Sequence, residues 1–276
     1  MRGEAFDGAP RPLLIGVVHL AATPGAPGYE GDFGSVLEAA RRDARALADG
    51  GMRYAIVENF GDHPFFAERV PPETIAAMAV ALAEVRSAAP ELVLGANVLR
   101  NDVRAALGLC ATGGASFVRV NVHTGAAITD QGMVQGRAAE TLRERARLAQ
   151  RASVLADVHV KHATPMGAES LADAARETVG RGAADGLIVS GTATGAAVDP
   201  SDLAEVREAC PGALLLVGSG MTVESAATLL AHADGAIVGT ALKVGGDVHA
   251  PVDAARVRAL VEAGNLAGSS GFPGGQ

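Results

Sequence analysis

The sequence has few aromatic residues and few cysteines. Among its 276 residues there are no tryptophans, two tyrosines, seven phenylalanines and two cysteines, Cys110 and Cys210. Two cysteines cannot build a disulfide framework or a cysteine zinc site, which favours a reducing cytosol. The scarcity of rings and the net charge of −8 argue against a nucleic-acid surface, where stacking platforms and basic patches are typical.

Long apolar runs are also missing, although 49% of the residues are hydrophobic. No stretch reaches about 18 consecutive apolar residues, because much of the hydrophobic content is alanine interleaved with charges, as in residues 39–44. Glu4 and Asp7 precede the first short apolar segment, and no cleavage-like site follows them. We therefore expect a cytoplasmic protein with no signal peptide and no membrane insertion.

What is present is an alternation of short apolar runs with longer amphipathic stretches, which is typical of parallel strands covered by helices. The predicted strands are Leu13–His19, Tyr54–Glu58, Leu92–Asn97, Phe117–Asn121, Val154–His159, Gly186–Ser190, Leu214–Val217 and Gly235–Gly239. The predicted helices are Val36–Ala48, Thr74–Ala88, Val103–Thr112, Ala138–Arg151, Ser170–Arg181, Ser201–Ala209, Val223–His232 and Asp253–Ala263. Eight of each predict a single α/β domain, a (β/α)₈ TIM barrel.

A doubly wound open sheet is the alternative fold, but it normally uses fewer strands, and no Gly-x-Gly-x-x-Gly turn follows the first strand. We expect the barrel domain to cover residues 1–263. Residues 264–276 are rich in glycine and serine, and we expect them to form a flexible C-terminal tail.

Polar residues stand where the predicted strands end, which is where TIM barrels carry their active sites. Because loops begin at the same points and loops are polar in any case, each residue alone is weak evidence. The candidate substrate-binding residues are His19, Asn59, Asn97, Arg119, Asn121, Asp130, His159, His162, Ser190 and Gly191. Among these, Asn97 and Asn121 suit sugar hydroxyls, and Asp130 lies in a long polar segment, residues 123–132, whose length and glycines suggest a mobile lid.

Glycines with hydroxyl residues follow the last two predicted strands, and they suggest a phosphate site. The loops after strands seven and eight form the recurrent phosphate site of TIM barrels, because backbone N–H groups there can approach an anion. The candidate phosphate-binding residues are Gly218, Ser219, Gly220, Gly239 and Thr240. Lys243 could face either the phosphate or solvent, and the alternative for the glycines is that they only make tight turns.

The fifth predicted strand carries the most charged groups, and it supplies two candidate catalytic residues. Asp157, His159 and Lys161 project to one face, since side chains alternate along a strand. Asp157 and Lys161 could transfer protons or stabilise a developing anion, Lys161 could form a Schiff base, or the two could merely be a buried ion pair. Glu58 is a further candidate acid/base.

Two residues of the loop after the second strand, Asp62 and His63, could be metal ligands, although scaffolding is the better explanation. No His-Glu-x-x-His or Cys-x-x-Cys motif is present, so the sequence requires no metal, and we predict no cofactor.

Taken together, these motifs resemble the family of photosystem I biogenesis protein BtpA and the related SgcQ proteins, over about Leu14 to Val261. The resemblance rests on residues 16–20, 57–62, 97–102, 119–122, 129–132, 156–158, 160–163, 189–191, 217–220 and 237–240. It implies a TIM barrel and hints at a phosphorylated ligand. The family name reflects a role in accumulating a photosynthetic complex, whereas other members look like sugar-metabolism or biosynthetic enzymes.

The residues and the resemblance together predict an enzyme that acts on a phosphorylated sugar or ribosyl, nucleotide-like small molecule. Transfer or cleavage of a glycosyl bond is the favoured reaction, which would make the protein a transferase. The alternatives are an aldolase or lyase that uses Lys161, and a non-catalytic assembly factor. The expected partner is the phosphorylated substrate, with no nucleic acid, and homo-oligomerisation is left open.

Overall fold

The computed structural model describes residues 3–160, 162–167, 170–191 and 197–271. These residues contain eleven strands and eight α-helices. The strands are β1 (Leu13–His19), β2 (Tyr54–Glu58), β3 (Val93–Asn97), β4 (Phe117–Val120), β5 (Ala126–Thr129), β6 (Gly132–Gln135), β7 (Ser153–Val158), β8 (Ala163–Pro165), β9 (Gly186–Val189), β10 (Leu214–Val217) and β11 (Gly235–Val238). The helices are α1 (Phe33–Asp49), α2 (Pro72–Ala88), α3 (Val103–Gly113), α4 (Ala138–Leu148), α5 (Leu171–Gly180), α6 (Pro200–Ala209), α7 (Ala226–Leu230) and α8 (Ala254–Gly271).

Eight of the strands close into a parallel barrel in the order β1-β11-β10-β9-β7-β4-β3-β2. Each strand is followed by a helix that packs on the outside, so the predicted (β/α)₈ TIM barrel is confirmed. The predicted bounds of these eight strands agree with the structure to within one residue at each end. The agreement follows from the nearly continuous apolar runs, which are long enough to cross a barrel and are buried on both faces.

The inside of the barrel is a packed core formed by alternate residues of the strands. In β1 these residues are Leu13, Ile15 and Val17, and they pack in one cluster with Phe117. The ring of Phe6 closes the amino-terminal end, with its centroid 5.0 Å from that of Phe117. This filled interior leaves the carboxyl-terminal end of the strands as the place for a ligand.

The first helix shows how the sequence attaches the outer layer. The Asp32 side chain accepts a hydrogen bond from the Ser35 N–H and so caps the amino terminus of α1. The buried apolar residues recur every three or four positions, which puts them on one face against the barrel. These residues are Val36, Ala40, Ala44 and Leu47.

The predicted lid segment is not an irregular loop. Residues 126–135 form a hairpin of β5 and β6, and β8 pairs with β5 to complete a three-stranded antiparallel sheet. The buried side chain of Val134 packs at the root of the hairpin with Val122 and Val160. The root is anchored in this way, whereas Asp130 at the tip is exposed.

The predicted start of the flexible tail at residue 264 is wrong, because the C-terminal helix continues beyond it. Helix α8 continues to Gly271, and Ala263 and Ala267 pack against the core. Close packing explains the two glycines that suggested flexibility, because a Cβ atom on Gly264 would lie 3.0 Å from Leu14 Cδ1 and one on Gly268 2.9 Å from Pro12 Cδ. Residues 272–276 lie outside the described residues.

Lys243 faces neither a phosphate nor solvent. Its Nζ lies 2.8 Å from Asp43 Oδ2 on α1, and both side chains are buried. The Asp43 carboxylate also accepts a hydrogen bond from the Val252 N–H. This ion pair fastens the segment after β11 to the first helix.

Lys243→Met should therefore lower the free energy of unfolding by about 3 kcal/mol, because it keeps the stem but leaves the buried Asp43 carboxylate without its ammonium. Urea unfolding followed by circular dichroism measures the change. Arg42→Met is the matched control, since it removes a half-exposed guanidinium from the same carboxylate and should cost less than about 1 kcal/mol. Equal losses in the two variants would show that burial of the pair does not matter.

Candidate active site

The alternation of side chains brings the predicted site residues to one end of the barrel. Side chains alternate along a strand, so the residue two positions after the last core residue again faces into the barrel, at the carboxyl end of its strand. In β1 this residue is His19, which follows Val17 by two positions. The strand register places His19 beside Glu58, and Glu58 beside Asn97. The residues at these inward positions are His19, Glu58, Asn97, Arg119, Asp157, Ser190, Gly218 and Gly239.

A cavity of about 250 Å³ opens at this end of the barrel. The candidate phosphate-binding residues line one side of it, and His19, Glu58 and Arg119 line it as well. The phosphate-binding candidates in this wall are Gly218, Ser219, Gly220, Gly239 and Thr240. The structure therefore brings the predicted anion-binding loops and a candidate acid/base to one cavity.

Two glycines keep side chains out of this wall. Gly220 has φ +73°, a left-handed conformation that favours glycine. A Cβ atom on Gly239 would lie 2.7 Å from Cε1 of His19. Helix α7 is only five residues long, shorter than the predicted Val223–His232, so its dipole contributes little at this wall, where the polar groups are loop N–H groups, hydroxyl groups and the Arg256 side chain.

Glu58 stands at the centre of the site. Its buried carboxylate has Oε1 3.9 Å from Nε2 of His19. The His19 ring packs against Phe60, with the ring centroids 4.6 Å apart. A carboxylate and an imidazole that border the same cavity can pass protons to and from a ligand.

Arg119 and Asp157 form a buried bidentate ion pair beneath the cavity. The guanidinium donates from Nε to Oδ2 at 2.9 Å and from Nη2 to Oδ1 at 2.8 Å, and the side chains are 4% and 0% exposed. Ser190 Oγ donates a third hydrogen bond to Asp157 at 3.2 Å. Burial opposes the charge of Arg119, but the charge and hydrogen bonds of Asp157 and the charge of Glu58 outweigh it and raise the pKa of Arg119.

This pairing gives Asp157 a guanidinium as its partner. Its other expected partner, Lys161, lies outside the described residues. With Arg119 and Ser190 bonded to its oxygens, Asp157 fixes the position of Arg119 at the cavity floor.

A second cavity of about 280 Å³ adjoins the first. The two share Glu58, Phe60 and Arg119. The remaining residues that line the second cavity are Phe65, Leu99, Arg100, Asn121, Asp130 and His162. Predicted binding residues Asn121, Asp130 and His162 therefore belong to the second cavity.

Arg100 and Asp130 meet across the second cavity, where Arg100 Nη2 donates to Asp130 Oδ1 at 2.6 Å. Burial works to raise the pKa of the Asp130 carboxyl, but hydrogen bonds from Gln131 and the charge of Arg100 hold it below its ordinary value. Asp130 is therefore an anion at neutral pH, held over the cavity by the hairpin tip.

Two of the asparagines hold neighbouring residues of the site in place through hydrogen bonds. Asn59 Oδ1 accepts a hydrogen bond from the Leu99 N–H at 2.7 Å, and its Nδ2 donates to Asp62 at 3.1 Å. Asn97 Nδ2 donates to Asn121 Oδ1 at 3.0 Å. Asp62 also accepts hydrogen bonds from Thr23, so it works as loop scaffolding.

Two other candidates are placed differently from the expectation. The Gly191 N–H donates to Ser219 Oγ at 3.2 Å, which links the loops after β9 and β10. His159 follows the end of β7 with φ +51°, and the described residues that line the two cavities do not include it. The left-handed turn ends the alternation that was expected to align His159 with Asp157.

Sequence reasoning missed several residues of the site. Phe60 and Arg100 line the cavities but were not among the candidates, although both lie within three residues of the end of a strand. Arg100 belongs to the motif at residues 97–102, and the position of this motif after β3 could have identified Arg100 as a site residue.

In the described part of the chain, no group of three or more histidine, cysteine or acidic side chains is placed to hold a metal ion. No helix found there is long and apolar enough to span a membrane.

Comparison with known proteins places this barrel in a family. Residues 11–265 match the model of the BtpA family. The photosystem I biogenesis protein BtpA of Synechocystis is 42% identical over 250 residues, which cover 91% of this chain and 87% of that protein. An uncharacterised protein of Thermococcus kodakarensis is 46% identical over 254 residues, 91% of this chain and 95% of that one.

Among solved structures, the fold is similar to that of (S)-3-O-geranylgeranylglyceryl phosphate synthase from Thermoplasma acidophilum, determined with its substrate sn-glycerol-1-phosphate. The TM-score is 0.57 at 13% identity, over 95% of this chain and 96% of the synthase. At that identity the likeness concerns the fold alone. The family match, by contrast, spans the barrel and both cavities, and the chain belongs to the BtpA family.

Proposed function

We propose that this protein is an enzyme that acts on a phosphorylated sugar or ribosyl small molecule. The observation that carries the proposal is the first cavity, in which the glycine-rich ends of β10 and β11 face Glu58 and Arg119. A phosphate at the loops would hold the sugar with its reactive carbon near the carboxylate. The synthase from Thermoplasma acidophilum, a fold neighbour that binds sn-glycerol-1-phosphate as its substrate, is consistent with this use of the barrel.

The loops suit a phosphate because they combine backbone donors with hydroxyl groups. Gly220 and Gly239 place no side chain of their own over the main chain, and Ser219 and Thr240 line the same wall with hydroxyl groups. TIM barrels bind phosphate at this same place, after the last two strands. The predicted phosphate-binding residues thus keep their role in the proposal.

Transfer or cleavage of a glycosyl bond is the reaction that the site supports best. Glu58 would give a proton to the leaving atom as its bond to the sugar C1 breaks, and it would take a proton from the incoming nucleophile. Arg119, fixed by Asp157, would stabilise negative charge on the leaving group. His19 would bind and orient the group that exchanges the proton with Glu58.

A role in photosystem I biogenesis, which the name of the Synechocystis relative states, is the alternative. A pure assembly factor would need no small ligand in the barrel. The buried charged groups Glu58 and Arg119, which line both cavities, favour the enzyme.

Gly239→Asp tests the proposal at the phosphate wall. Ribose 5-phosphate should raise the melting temperature of the unaltered protein more than ribose does, because only the phosphate ester engages the loops. In Gly239→Asp the added carboxylate should occupy and repel the phosphate, and the difference between the two ligands should vanish.

The matched control is Gly212→Asp, which adds the same charge at an exposed turn with open space around it. This variant should keep the response to ribose 5-phosphate. Because the new side chain at position 239 must displace the His19 ring, Thr240→Val provides a second variant, which should weaken the response without such crowding. An equal response to ribose and ribose 5-phosphate in the unaltered protein would contradict the proposal.

A further inference from the structure

We propose that the second cavity binds a carboxylate at the far end of the substrate, so that the ligand is a phosphorylated sugar acid. This inference rests on the proposed function, because it assumes a phosphate at the loops after β10 and β11. It assigns a role to Arg100, a buried cation that the acid/base chemistry at Glu58 does not use.

Arg100 is a fixed cation in the wall of the second cavity. It is 7% exposed, and its guanidinium lies over the Phe65 ring, 5.4 Å from the ring centroid. The Arg100 N–H donates to Phe66 O at 3.1 Å, which holds the main chain. Its buried Nε has no hydrogen-bond partner among the described residues. A buried guanidinium with an unpaired N–H group destabilises the protein unless a ligand accepts a hydrogen bond from it.

Asp130 marks where the ligand carboxylate would bind. Its carboxylate contacts Arg100 Nη2, but the side chain is 54% exposed at the tip of the hairpin. An ion pair with so exposed a carboxylate is weak, because water competes for it. A ligand carboxylate that forms two parallel hydrogen bonds with the guanidinium could therefore displace Asp130.

The neighbouring groups fit the same ligand. Asn121 Oδ1 is engaged by Asn97, so the atom that Asn121 can offer a ligand is its Nδ2 donor. The buried Asp157 neutralises the charge of Arg119. The exposed Asp130 that pairs with Arg100, in contrast, can be replaced by a ligand carboxylate. Because the two cavities share Glu58, Phe60 and Arg119, one molecule can reach from the phosphate loops to Arg100 past the carboxylate of Glu58.

The test compares pairs of probes that differ only in the terminal group. Each pair consists of a phosphorylated sugar acid and the matching alditol phosphate, such as 6-phosphogluconate and sorbitol 6-phosphate, with further pairs of three and four carbons. Isothermal titration calorimetry gives the affinities. In at least one pair the acid should bind about tenfold or more tightly than the alditol, as expected for a charge-assisted bidentate contact.

Two variants should change this preference in opposite directions. Arg100→Met should weaken binding of the acid by about tenfold or more and binding of the alditol phosphate by much less, so that the preference for the acid disappears. Asp130→Asn, at an exposed position where folding is not in question, should strengthen binding of the acid about two- to fivefold because the competing anion is gone. If Asp130→Asn weakened binding of the acid, Asp130 would itself contact the ligand, and the displacement would be refuted.

The experiment separates failure of this inference from failure of the proposed function. If both members of every pair bind equally, the phosphate site stands and the carboxylate site is wrong. If no member of any pair binds, the proposed function falls, and this inference falls with it.

Discussion

Glu58→Gln is expected to lower kcat by about two to four orders of magnitude on the sugar phosphate that the unaltered enzyme turns over. The substitution keeps the size and hydrogen-bonding shape of the side chain and removes its ability to exchange a proton. Among the described residues, Glu58 is the carboxylate that borders both cavities, and its Oε1 lies 3.9 Å from Nε2 of His19. The loss should therefore appear in kcat, with little change in the affinity for ribose 5-phosphate.

Glu91→Gln is the matched control, because Glu91 is exposed before β3 at the opposite end of the barrel. It should leave kcat unchanged. Glu58→Asp should recover part of the rate, since it restores the carboxylate at a slightly greater distance from the ligand. If Glu58→Gln turned over substrate at the normal rate, the proton transfer would have to be assigned to another group.

Arg119→Met is expected to lower the free energy of unfolding by about 3–5 kcal/mol, because it leaves the fully buried Asp157 carboxylate without its cation. Urea unfolding measures this loss. Arg176→Met is the control, since it breaks an exposed ion pair with Asp173 on α5 and should cost less than about 1 kcal/mol. Adding Asp157→Leu to Arg119→Met should recover much of the stability.

The barrel could be predicted from the sequence because its strands are continuous apolar runs separated by helices of regular period. The inward position of His19 and Glu58 also follows from the sequence, since residues alternate sides along a strand. Once the strand ends were placed to within one residue, the phosphate loops and the candidate acid/base had to meet at one end of the barrel.

The pairing of charges could not be predicted in the same way. Asp157 and Lys161 were expected to share one face of the predicted strand; the structure pairs Asp157 with Arg119 of the neighbouring strand β4, and Lys161 lies outside the described residues. A strand's own period says nothing about the length and direction of side chains on its neighbour. Lys243 shows the same limit, since its partner Asp43 is 200 residues away in the sequence.

Short strands and glycines in helices were the other source of error. The hairpin of β5 and β6 has strands of four residues, with a buried root and an exposed tip, so its polar residues resembled a loop. In α8, Gly264 and Gly268 resembled a flexible tail, but they pack closely against Leu14 and Pro12. Only the tertiary contact distinguishes a glycine that allows close packing from one that ends a helix.

The most direct test of the account is a crystal structure of the protein with ribose 5-phosphate. We predict that the phosphate lies within hydrogen-bond distance of the main-chain N–H groups of residues 218–220 and 239–240, with the ribose ring directed towards Glu58. A phosphate found at the surface, or a ribose that points away from Glu58 and Arg119, would contradict the account.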